Sequence, residues 1–97
     1  MIVLTPRAGQ QVRALQEHYQ ERERPAAIHG LAVALESAWQ SITTKPEAGL
    51  AAPRPYPQLA QVGRAWVKAG PYGIAYTPQP PAIVAVFYET ADIPNRL

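Results

Sequence analysis

Arg64, Trp66 and Lys68 alternate with Ala65, Val67 and Ala69 in the stretch GRAWVKAGPYGIAY, residues 63–76. On an extended chain the two cations and the indole therefore fall on one side. Guanidinium and ammonium groups hold phosphate oxygens, and an indole between them offers a plane on which a base stacks. The same surface packs equally well against a peptide, and charges of this kind also guard an edge strand against pairing with other chains.

The rest of the chain sets limits on that chemistry. Residues 1–48 carry five cations and five carboxylates, so the whole net charge of +2 arises in residues 49–97, from Arg54, Arg64, Lys68 and Arg96 against Glu89 and Asp92. The excess suits an anionic partner and also suits an ordinary solvated surface. Cysteine is absent, which excludes a disulfide frame and a thiolate metal site and fits a reducing compartment. His18 and His29 fall on separate predicted helices with no acidic neighbours at ligand spacing, so neither a metal nor a cofactor is expected. No apolar run approaches the roughly 20 residues that cross a bilayer, and the N-terminus has no secretory pattern, so the expected location is the cytoplasm, away from any membrane.

With 97 residues, 47% apolar and 16% charged, the chain is expected to form a single domain over residues 1–97, with a thin core. Residues 2–4 read as a short apolar strand, followed by Thr5 as N-cap and Pro6 at the first helical position. Ala8, Val12, Leu15 and Tyr19 then recur on one face of a helix ending near Arg24. Pro25 stops that helix and starts a second, with Ile28, Leu31, Leu35, Ala38 or Trp39, and Ile42 as its stripe. The stretch 43–63 holds four prolines and neither period, apart from a single helical turn near 58–61. Strands follow over 64–69, 72–76 and 82–88, the last a continuous apolar run, AIVAVFY, of the kind expected of a central strand. The predicted class is α+β: a helix hairpin covering one face of a small sheet whose C-terminal part is a three-stranded antiparallel meander.

If Gly70-Pro71 is a two-residue loop and residues 77–81 form the next connection, the faces follow by alternation. Ala65, Val67, Ala69, Tyr72, Ile74, Tyr76, Ala82, Val84, Val86 and Tyr88 share the face expected to form the core. Arg64, Trp66, Lys68, Gly73, Ala75, Ile83, Ala85 and Phe87 share the other, where Gly73 and Ala75 are expected to leave room for a ligand. A one-residue bulge would reverse these faces.

Four stretches in this order, VLTPRAGQQVRALQEHYQERERPAA, KPEAGLAAPRPYP, GRAWVKAGPYGIAY and VAVFYETADIPNRL, give the chain a resemblance to the RelE/ParE family of bacterial type II toxin–antitoxin toxins. The resemblance spans nearly the whole sequence. It implies a toxin in a hetero-oligomer with a cognate antitoxin, whose tail orders as it wraps the toxin. Two activities occur in that family, and the fold does not choose between them: ribosome-dependent cleavage of mRNA, or poisoning of DNA gyrase without cleavage. For cleavage the resemblance points to Arg64, Lys68, Tyr72 and Tyr88. For binding the target or antitoxin it points to Arg54, Arg64, Trp66, Lys68 and Arg96.

One departure from the nuclease pattern and one likeness at the chain's end favour the gyrase-directed, ParE-like branch, and a second departure, at Ala91, counts against it. Gly73 follows Tyr72 where RelE-like nucleases usually carry an arginine, and a missing guanidinium of this kind typically costs about 100- to 1,000-fold in rate. The ending FYETADIPNRL looks ParE-like, although Ala91 stands beside Asp92 where an arginine is usual. The leading expectation is thus a toxin acting by binding, with a nuclease or an inactive antitoxin-binding module as the alternatives.

Overall fold

A computed structural model describes residues 2–50 and 63–88. Its elements are helix α1 (Pro6–Glu21), helix α2 (Pro25–Thr44), a 3-10 turn (Pro46–Ala48), and strands β1 (Ala65–Ala69), β2 (Tyr72–Pro78) and β3 (Pro81–Tyr88). The predicted α+β class is the one observed: two helices and an antiparallel sheet in the order β1-β2-β3.

Local chemistry places each boundary. Thr5 is extended, and its side-chain oxygen accepts a hydrogen bond from the Ala8 N–H at 3.2 Å, capping α1 with Pro6 in the first turn. Glu23 adopts a left-handed conformation (φ 53°), and the Arg24 N–H reaches back to the Tyr19 carbonyl at 2.9 Å. These close α1 just before Pro25 opens α2. Ala8, Val12 and Tyr19 of α1 are buried, as are Leu31, Ala34, Leu35, Ala38 and Ile42 of α2. Spacings of three and four put each set on one stripe, and the stripes face the sheet. Each large apolar side chain buried there contributes about 1.5–3 kcal/mol of transfer free energy.

Gly70 turns β1 into β2 with a positive φ of 55°, so the predicted two-residue loop forms and Ala69 pairs with Tyr72. The second connection is tighter than expected. β2 runs on to Pro78 and β3 starts at Pro81, leaving Gln79 and Pro80 as the loop. A register shift beside Ala75 and Tyr76 makes Tyr76 pair with Ile83 while Ala75 pairs with Ala85, so Val84 is the extra residue. The expected faces are corrected at this point. Ile83 is fully buried in the main core, whereas Val84 packs half-buried against the opposite face.

β3 is not the middle strand, which is β2. Its apolar run reflects cover on both faces: Ile83 and Val86 join the helices, and Ala85 and Phe87 join a second cluster. The expected N-terminal strand shrinks to one parallel bridge, Leu4 to Ile83, because Thr5 already caps the helix that follows. The Ile83 N–H donates to the Val3 carbonyl at 2.9 Å, and the Thr5 N–H donates to the Ile83 carbonyl at 3.0 Å. Further along that edge the Val86 N–H donates to Gln11 Oε1 at 2.8 Å. A helix side chain thus supplies the acceptor that a neighbouring strand would give.

The first half of the stretch 43–63 is more ordered than its composition suggests. α2 persists to Thr44, the 3-10 turn follows, and Leu50 forms an antiparallel bridge with Trp66 through bonds of 2.7 and 2.8 Å. The helical turn expected near 58–61 lies outside the described residues.

Candidate functional site

Lys68 pairs with Gly73, which in turn pairs with Phe87, and Trp66 pairs with Ala75, which pairs with Ala85. These rows cross the sheet face that the helices leave uncovered. Trp66 does not form the expected open stacking plane, because only 2% of its surface is exposed. Its ring lies near-parallel to Phe87, with centroids 6.3 Å apart, in a cluster with Ala75 and Ala85. The space expected beside Ala75 is thus taken by the Trp66 and Phe87 rings.

Lys68 is exposed and Arg64, just before β1, is half-buried. Four positions of extended chain separate their Cα atoms by roughly 13 Å at about 3.3 Å per residue. That spacing presents two points of positive charge along a row. Arg54 and Arg96 lie outside the described residues.

Tyr72 and Tyr88 pair across β2 and β3 on the opposite, helix-facing side. Tyr72 is buried, its hydroxyl shares a 2.5 Å hydrogen bond with that of Tyr19, and its ring meets Tyr88 edge-on at 5.6 Å. Tyr88 is 41% exposed. The four residues expected to serve cleavage are therefore divided by the sheet, with Lys68 on one face and the two phenols on the other.

Burial, then the hydrogen bond and charge of Tyr19, push the Tyr72 phenol well above its ordinary pKa, with Arg24 partly opposing them. A phenol so held is no base at neutral pH. Burial raises Tyr76 as well, against a hydrogen bond from the Gly49 backbone. The folded protein binds these two protons more tightly than the unfolded chain. Stability should accordingly hold from neutrality to about pH 10 and fall as pH rises further, through the raised folded pKa values. Thermal melts from pH 8 to pH 11 check this; a midpoint unchanged above pH 10 would contradict the burial of these phenols.

A cleft of about 500 Å³ opens between the C-terminal half of α2, the 3-10 turn and β1. Lys45, Lys68, Ser37, Ser41, Leu50 and Trp66 are among its lining residues. Lys45 and the serines escaped the sequence reading, since nothing in α2's periodicity announces which polar positions will meet an edge strand. Among the described residues no group of three or more His, Asp or Glu side chains gathers to hold a metal, and no helix is long and apolar enough to cross a membrane.

Fold and site together define a small α+β domain with one apolar-filled sheet face, a row of cations, and a basic cleft along one edge. No family model matches the chain, and neither a curated protein nor a solved structure gives a match.

Proposed function

We propose that this protein is the toxin of a type II toxin–antitoxin pair, as its resemblance to the RelE/ParE sequences implies. It arrests growth by gripping a replication protein such as DNA gyrase, and a cognate antitoxin neutralises it in a hetero-oligomer. The observation that carries binding over cutting is the placement of the candidate groups. Lys68 and the phenols of Tyr72 and Tyr88 stand on opposite faces of the sheet, and Gly73 occupies its middle. RNA cleavage through the 2′-hydroxyl needs a base, an acid and a cation converging on one phosphate. A grip needs only a complementary surface, which a row of two cations supplies.

Gyrase supercoiling with the purified protein tests the reading. Inhibition at concentrations that match growth arrest is expected; normal supercoiling by a preparation that still arrests growth would remove gyrase as the target. Charge reversal of Arg64 together with Lys68 should weaken growth arrest by about tenfold or more while leaving antitoxin binding within a few fold. Equal loss of both, with the fold intact, would assign these cations to the inhibitor. The exposure of the Tyr88 phenol favours a second reading, a ribosome-dependent nuclease. Primer extension on cellular mRNA decides, since codon-positioned cuts belong to the nuclease alone.

A further inference from the structure

Helix α2 buries one side and leaves the other bare. Leu31, Ala34, Leu35, Ala38 and Ile42 face the sheet. On the opposite side Ala26, His29, Val33, Glu36, Gln40 and Thr43 are all exposed, and they follow one another at spacings of three and four. They form a strip along the helix. α1 carries four charged residues, Arg7, Arg13, Glu17 and Glu21, whereas α2 carries one, Glu36, over 20 positions. At the middle of the strip Val33 is 53% exposed, beside a shallow hollow that Trp39 helps to border. Gly30 adjoins it. A glycine weakens a helix interior relative to alanine, and a Cβ at Gly30 would meet no packed neighbour within 4 Å, so nothing inside the chain calls for it.

Charge identifies the occupant of this face. His29 and Glu36 are the strip's two groups able to form an ion pair, and they lie seven positions apart. At 1.5 Å per residue that is about 10 Å along the axis, too far for them to meet each other. Val33 stands between them, four positions from His29 and three from Glu36. In an antiparallel pair of α2 helices related by a two-fold axis beside Val33, His29 of each copy lies opposite Glu36 of the other. The contact is thus made twice. An imidazole N–H donates to a carboxylate on either side of the axis, the two Val33 side chains meet near it, and Gly30 lets the backbones approach. A contact between identical copies needs a surface that complements itself, and this arrangement supplies one.

We propose that the outer face of α2 is a contact between two copies of this chain, packed antiparallel about Val33 with reciprocal His29–Glu36 pairs. A strip about 30 Å long and 10 Å wide is smaller than the roughly 800 Å² that each partner gives to a standard interface. The dimer is therefore weak, with a dissociation constant on the order of 10–100 μM. The proposal goes beyond growth arrest and does not depend on it, because it is read from the mass of the purified chain.

Sedimentation equilibrium of the full chain, from about 5 to 500 μM, tests it. The mass should rise from one chain towards two across that range. Glu36→Lys and His29→Glu should each weaken association about tenfold or more, since either change removes both reciprocal contacts at once. Combining the two restores the pairs with their positions exchanged, and the double variant should associate within a few fold of the parent. Glu17→Lys, the same charge change on α1, should alter association less than twofold. All these positions are exposed, so the fold should persist, and circular dichroism verifies it for each variant. Should a charge variant not fold, Val33→Asp is the substitute, and it should hold the protein as a monomer. One chain's mass at every concentration, association indifferent to the reversals, equal weakening by Glu17→Lys, or a double variant no better than the singles would each overturn the proposal.

Discussion

Ile83→Ala is expected to cost about 2–5 kcal/mol of stability, whereas Val84→Ala should cost about 1 kcal/mol or less, a contrast that urea unfolding of the two variants reads directly. Uninterrupted alternation along β3 gives the reverse order, since it places Val84 among the helices. The bulge decides otherwise. Ile83 is fully buried against Ile74, Tyr76 and the helical stripes, while Val84 lies half-exposed beside the Trp66 cluster. Ile83 is also the residue whose backbone groups hold the N-terminal segment, so the truncated side chain leaves its cavity at a junction of three elements. A domain of this size has only about 5–15 kcal/mol in total, which makes the larger loss a substantial fraction. Equal losses, or a larger one at Val84, would show that the register shift is wrong.

Gly49→Ala should lower stability by about 1–3 kcal/mol, the usual effect of forcing atoms into filled space. For a domain of this length that corresponds to roughly 4–8 °C of melting temperature for each kcal/mol. Gly49 has ordinary extended dihedrals (φ −68°, ψ 157°), so conformational freedom is not what requires a glycine here. Space requires it. A Cβ at this position would collide with the Tyr76 hydroxyl and would lie 2.9 Å from both Tyr76 Cζ and the Ala65 Cβ. Tyr76 cannot yield, because its ring is buried and its hydroxyl donates to the Pro46 carbonyl at 2.7 Å. One phenol thereby stitches the turn after α2 to the inner face of β2. Tyr76→Phe is the companion variant: it deletes the hydroxyl, loses the bond to Pro46, and should make Gly49→Ala less costly in the double mutant. An unchanged melting temperature in Gly49→Ala would mean that the turn moves aside freely.

The amino-acid sequence alone determined the two helices, the three strands of the meander and their order. Thr5 and Pro6 start α1, Pro25 starts α2, Gly70 turns β1 into β2, and the apolar spacings mark the buried stripes; all of these act between residues a few positions apart. Tertiary structure decided which face each side chain near 82–84 occupies, that Trp66 is buried in a cluster with Phe87, Ala75 and Ala85, and that Tyr72 is tied to Tyr19 53 positions away. It also decided that Lys45 and Lys68 share a cleft. The physical reason is one of range: caps, turns and periods are satisfied by the local backbone. A bulge, a filled hollow or a pair of distant charges is settled only by the free energy of packing two elements together, and no single segment of the chain carries that information.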